Sequence, residues 1–207
     1  GGDASYRIRI HALGPLPVTF DGGSSSITNQ AAGIWQYFVI NVPANVFGWD
    51  LRINGATNGN PYLYVCRDQS PSQSNPYGVS STWTAWPSGY QWVAGYDWTS
   101  DYYENNGVYR YGQVLQMGMG NPLQAGTYFV GVISSAGVNP ITYTLLSRGI
   151  GTNFTIPVVN LPFTNGVVTN LSLNGREAAY YSVVVPTNVP LVPSPATKCV
   201  MRPAVCS

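Results

Sequence analysis

Where this chain shows a pattern of apolar and polar positions, its period is two. Tyr6, Ile8 and Ile10 alternate with Arg7 and Arg9, and Tyr37 to Val42 reads the same way. That spacing places successive side chains on opposite faces of an extended strand, so both segments are expected to be half buried. Shorter runs that read as strands are Trp49 to Ile53, Tyr62 to Arg67, Val114 to Met117, Thr127 to Ile133 and Thr142 to Leu146, each bounded by Gly, Pro or Asn turn residues. No segment keeps a helical period long enough to compete. The pattern predicts an all-β protein, an antiparallel β-sandwich of short strands.

One stretch interrupts this rhythm. Gln69 to Gly112 is rich in Ser, Pro, Gly, Tyr and Trp, too long for an ordinary connection and too aromatic for a solvated linker. An ordered insertion is expected, carrying Trp83, Trp86, Tyr90, Trp92, Tyr96, Trp98, Tyr102 and Tyr103. Hydroxyl-rich stretches such as Gly22 to Thr28 read as flexible loops that could carry O-linked sugar.

The chain also resembles itself. Residues 16–46 match residues 161–189 through an LP start, a Gly-rich turn and a closing VP-x-N-V, and residues 5–14 (SYRIRIHALG) match residues 142–151 (TYTLLSRGIG) more loosely. Three parts follow: a repeat-closing strand, one complete repeat, and the opening strands of the next. The expected division is a complete sandwich with its N-terminal strand over 1–150, and a partial second repeat with a Pro-rich, Cys-containing tail over 151–207. The strand Tyr180 to Val185 runs into Pro186, Pro190, Pro193 and Pro195, so its missing half is not expected from the same chain. An unfinished sandwich exposes strand edges and an apolar face.

Three segments, YFVINVPAN, PYLYVCRDQSP and LQAGTYFVGVISSAGVNPITYTLLS, make residues 36–146 similar to the bacterial pre-peptidase C-terminal domain. They match that family's opening strand with its Val-Pro-Ala turn, its Leu-Tyr-Val-Arg strand, and its closing Ala-Gly-Thr-Tyr hairpin. The resemblance implies a secreted, jelly-roll-like β-sandwich, repeated in large exported proteins or appended to secreted hydrolases, and not itself an enzyme. Gly59, Asn60 and Pro61 stand where the family shows acidic residues, so its calcium ligands are not carried over there.

Composition narrows the function classes. Only 8% of residues are charged, against about 25% in a typical domain. A net charge of +1 with 13% aromatics describes a folded chain rather than a disordered one. Nine Lys and Arg against eight Asp and Glu form no basic field, which excludes nucleic acid as an expected partner, and no apolar run is long enough to span a membrane as a helix. Lys198 is the single lysine, a surface chemistry associated with exported proteins, so an extracellular or cell-surface location is expected. Cys66, Cys199 and Cys206 lack metal-ligand spacing. In an oxidising compartment Cys199 and Cys206 could close a short tail loop, or Cys66 could pair with either.

Catalytic chemistry is thin. Acid–base or nucleophilic catalysis needs a base beside a nucleophile, and the single histidine, His11, sits beside the N-terminal strand, where an end-capping role fits better. Asp97, Asp101 and Glu104 form the one carboxylate group that could hydrolyse a glycoside or hold calcium, with loop capping around Asn105, Asn106 and Gly107 as the plainer role. No catalytic residue, metal or cofactor is therefore assigned. The insertion's rings could stack on sugar faces or fill a protein interface. Asn153 and Asn170 fit the N-glycosylation acceptor pattern, one that also arises by chance in so Asn- and Thr-rich a chain. The leading expectation is a non-catalytic structural or adhesive module that joins its own copies head to tail by strand addition, through Tyr6, Ile8 and Ile10 on one side and Tyr181, Val183 and Val185 on the other. The alternative is a carbohydrate-binding accessory module that uses Trp83, Trp86, Trp92 and Trp98.

Overall fold

Alternation in sequence becomes alternation in burial. Along 141–150, Ile141, Tyr143, Leu145 and Ser147 are buried while Thr142, Thr144, Leu146 and Arg148 are half-buried. These ten residues form one strand of a β-sandwich. The computed structural model describes residues 14–71, 91–93, 99–100, 103–105, 108–110, 113–118, 123–134, 139–169, 172–174 and 177–188, with backbone only within 91–110.

The strands, in chain order, are β1 (Leu16–Pro17), β2 (Gly23–Gln30), β3 (Gln36–Val42), β4 (Gly48–Thr57), β5 (Tyr62–Arg67), β6 (Gln91–Val93), β7 (Thr99–Ser100), β8 (Tyr103–Asn105), β9 (Val108–Arg110), β10 (Val114–Gly118), β11 (Gly126–Ile133), β12 (Ile141–Ile150), β13 (Val158–Leu161) and β14 (Tyr180–Val183). Among the described residues there is no helix. One sheet has the order β1-β3-β11-β5-β6 and the other β2-β12-β4-β10-β7. We call them sheets A and B. Their pairings are antiparallel except β1 with β3, and two small sheets, β8-β9 and the parallel β13-β14, stand beside them. The sequence insertion supplies the outer strand of each large sheet: β6 pairs with β5, and β7 with β10.

Between the two sheets lies the core, built from Phe38, Ile40 and Val42 of β3, Trp49, Leu51 and Ile53 of β4, Leu115 and Met117 of β10, Tyr128, Val130 and Val132 of β11, and Tyr143 and Leu145 of β12. Trp49 is its centre. Its ring meets Tyr128 edge-on at 5.5 Å and Phe20 at 5.8 Å. The buried indole needs an acceptor, which Ser147 Oγ supplies at 2.9 Å, and Ser147 in turn donates to the Phe20 carbonyl at 2.6 Å.

The outer face of sheet A has its own cluster. Trp35 stacks on Tyr37 at 5.6 Å and meets Tyr64 edge-on at 5.2 Å. It fills the notch left by Gly131, where a Cβ would come within 2.7 Å of the Trp35 ring.

Two sequence expectations are corrected. The serine-rich run 22–28 is not a loop: Gly23–Gln30 is the edge strand β2, paired with β12, with Ser26 Oγ 3.0 Å from Thr144 Oγ1. Serine has little strand preference of its own, and pairing with a long neighbour overrides it. The β-strand at 180 ends at Val183 rather than Val185.

Trp49→Ala removes the largest core side chain and the hydrogen bond it donates to Ser147 Oγ, whose own bond to the Phe20 carbonyl stays. It is expected to lower the unfolding free energy in urea by about 3–5 kcal/mol, and a loss below about 1 kcal/mol would contradict this view of the core.

Candidate interaction surface

Beyond β12 the parallel pairing of β1 with β3 recurs in β13 and β14. Leu16 pairs with Phe38 and Pro17 with Val39, both in parallel; Val159 pairs with Tyr181 and Asn160 with Ser182 in the same way. One shift of 143 residues relates both pairs (Leu16 to Val159, Phe38 to Tyr181). The same shift relates the turn that follows. Gly22 and Asn165 both take a positive φ, at 71° and 59°. Gly23 and Gly166 both leave no room for a Cβ, because it would strike the carbonyl four residues back, of Thr19 and Pro162 respectively. This register corrects the sequence comparison. The LP start does not align, since Val18 rather than Leu16 corresponds to Leu161, whereas the VP-x-N-V ends do correspond.

Equivalent positions have opposite environments. Phe38, Ile40 and Val42 are 0%, 0% and 3% exposed, and their counterparts Tyr181, Val183 and Val185 are 36%, 48% and 62% exposed. Phe20 is buried while its counterpart Phe163 is exposed. In the first unit these side chains are covered by sheet B. In the second, β13 and β14 form a two-stranded parallel sheet with that face bare. Two strands alone are marginal in water, and parallel pairs normally lie covered. The edge of β14 that corresponds to the β11-bound edge of β3 meets no strand among the described residues.

The other face of β14 is anchored by charge. Strand β4 is buried on both sides: Trp49, Leu51 and Ile53 point into the core, while Asp50 and Arg52 point outward and are equally buried. Asp50 accepts hydrogen bonds from Arg52 Nε at 2.7 Å, Arg148 Nη2 at 3.1 Å and Gln116 Nε2 at 2.9 Å. Glu177, three residues before β14, closes the cluster by bridging Arg52 at 3.2 Å and Arg148 at 3.0 Å. Two cations and two anions leave it neutral. Burial by itself would raise the Asp50 carboxyl, but the hydrogen bond and charge of Arg52, with Gln116 and Arg148, outweigh it and hold the carboxyl below its ordinary value. The buried hydroxyl of Tyr180 sits beside these charges, and burial, reinforced by Asp50, pushes it up to about 12 against the opposing pull of the arginines. Because Tyr180 faces the cluster, alternation turns Tyr181 and Val183 away from sheet B.

The sequence candidates separate. Tyr181 and Val183 lie on one side of β14, and Val185, two residues beyond its end, is exposed as well. Tyr6, Ile8, Ile10 and His11 lie outside the described residues, as do Trp83, Trp86, Tyr90, Tyr96, Trp98, Tyr102, Asp97, Asp101, Asn170, Cys199 and Cys206. Trp92 lies in β6 opposite Val65, and Tyr103 and Glu104 lie in β8, with backbone alone described. Asn153 is exposed in the turn after β12. Cys66 is wholly buried, and that burial pushes its thiol up to about 12, where it stays protonated. Among the described residues no three His, Cys, Asp or Glu are placed to hold a metal ion, and no helix is long and apolar enough to cross a membrane. An open cleft lined by Pro17, Phe20, Asp21, Pro43 and Phe154 contains one carboxylate, and Asp21 Oδ1 is occupied in accepting the amides of Gly149 and Thr155. No family model, curated protein or solved structure matches the chain.

The ion cluster predicts an acid limb of stability. The folded chain holds the Asp50 carboxyl below its ordinary value, so the unfolded chain binds a proton first as pH falls. Asp50's contribution is present above an ordinary carboxylate pKa of about 4 and is lost as pH drops through the lower folded value. Asp50→Asn leaves Arg52 buried without its main partner and is expected to cost about 3–5 kcal/mol at pH 7 and to flatten that limb, measured by urea unfolding between pH 2 and 7.

Proposed function

We propose that this chain is a non-catalytic structural module, exposed outside the cell, that associates with its own copies through the bare face and open edge of β14. The observation that carries the proposal is the pairing of environments: the same side-chain positions that form a dry core in the first unit are presented to solvent in the second. Covering each such side chain contributes about 1.5–3 kcal/mol, and main-chain pairing at the edge adds direction. A contact between one end of a subunit and a different surface of the next is heterologous and propagates into a chain unless its rotation closes.

The likeness of 36–146 to the pre-peptidase C-terminal domain supports a repeated, exported module. Its three matching segments are β3, β5 and the β11–β12 pair, the strands that carry most of the core.

Sedimentation velocity tests the reading. The chain is expected to show concentration-dependent species larger than a monomer, and Val183→Asp, at an exposed position that folding does not need, is expected to yield a folded monomer by circular dichroism. A wild-type chain that stays monomeric at every concentration, or a Val183→Asp chain that associates unchanged, would overturn it.

A further inference from the structure

Resting on that reading of the β14 face, we infer that its occupant is residues 5–14 of a second copy, inserted as an antiparallel strand beside 166–169 with Ile8 opposite Val168.

The first unit gives the template. There the core face of β3 is covered by β12, which pairs antiparallel with β2: Tyr143 opposes Ile27, Leu145 opposes Ser25 and Ser147 opposes Gly23. The 143-residue shift that relates the two units carries Gly23 to Gly166 and Ser25 to Val168. The second unit has strands in the places of β1 and β3; its segment 166–169, in the place of the first half of β2, is unpaired, and among the described residues no strand stands in the place of β12.

The chain contains one further segment of the β12 kind. SYRIRIHALG matches TYTLLSRGIG residue for residue in length, with Tyr6 at the position of Tyr143, Ile8 at Leu145 and Leu13 at Ile150. The buried positions of β12 are 141, 143, 145, 147, 149 and 150; Tyr6, Ile8 and Ile10 fall at 143, 145 and 147 and Leu13 at 150, while Arg7 and Arg9 fall on the half-buried side. Ile10 replaces Ser147, whose hydroxyl serves the Trp49 indole. In the shifted register Ile10 lies opposite Gly166, beside the exposed ring of Phe163. Tyr6 and Ile8 would then cover Tyr181 and Val183, as Tyr143 and Leu145 share the core with Phe38 and Ile40.

Reach argues for a second copy over the same chain. Residues 5–14 lead into β1 on sheet A, whereas β14 lies on the outer face of sheet B with its bare side turned further outward. That is three layer spacings from sheet A, about 30 Å in all. Eight residues from Ile8 to Leu16 extend at most about 29 Å, which leaves no length to lie alongside a partner strand. Between copies there is no such limit, and the exchange joins the front of one subunit to the back of the next.

Directly opposed residues of an antiparallel pair bring their Cα atoms to about 4.5–5.5 Å, within the range a disulfide spans. The test uses the full chain with Cys199 and Cys206 changed to Ser, Cys66 being buried. One preparation carries Ile8→Cys and another Val168→Cys; they are mixed and oxidised. A cross-linked heterodimer several-fold stronger than with Arg9→Cys in place of Ile8→Cys is the expected result. Association that persists without the Ile8–Val168 cross-link overturns this occupant and register while leaving self-association standing. Closure within one chain when both cysteines are on the same molecule, with no heterodimer on mixing, overturns the exchange between copies. No association at all removes the underlying reading itself.

Discussion

The buried cluster of Asp50, Arg52, Arg148 and Glu177 decides how the second unit sits on the first. Without Glu177, two arginines would share one carboxylate beneath the outer surface of sheet B, an arrangement that burial makes costly. Glu177 completes the neutral set, and in doing so it fixes the segment that becomes β14. Strand alternation does the rest. With Tyr180 turned towards the charges, Tyr181 and Val183 have one direction left to point, away from the sandwich, and an apolar surface is thereby held open. A flexible tail with the same residues could collapse onto itself; a strand anchored by four charges cannot.

Much of the sandwich could be read directly. The alternation of Tyr37 to Val42 and the run Tyr62 to Arg67 mark β3 and β5 nearly to the residue, because each buries one face or both against the core and bears little else. β2 was hidden because a strand made of Ser and Thr is held by its neighbour rather than by its own side chains. The charged cluster was hidden for a different reason. In WDLRI, the polar residues at 50 and 52 look like the solvated side of a half-buried strand, and the partners that bury them lie about a hundred residues away in sequence. A polar residue in every second position cannot reveal that a second unit will cover it.

The repeat shows a similar division. The self-similarity is read from VP-x-N-V, and its phase is not, because the LP dipeptides invite an alignment two residues out. Turn geometry settles the phase. A positive φ at Gly22 and Asn165, and glycines at 23 and 166 that tolerate no Cβ, are backbone requirements that identical letters elsewhere do not outweigh. A two-residue slip keeps the same face of a strand, so the contrast between the buried side chains of β3 and the exposed ones of β14 holds in either phase, and the turn decides only which positions are equivalent. The aromatic insertion adds edge strands to both sheets.

The central claim is that a face built for a core is completed by another copy of the chain. Negative-stain electron microscopy of the purified 207-residue protein at rising concentration tests it most directly. Filaments or closed rings with one subunit per repeat are the predicted result; particles that remain single and of monomer size throughout would contradict it.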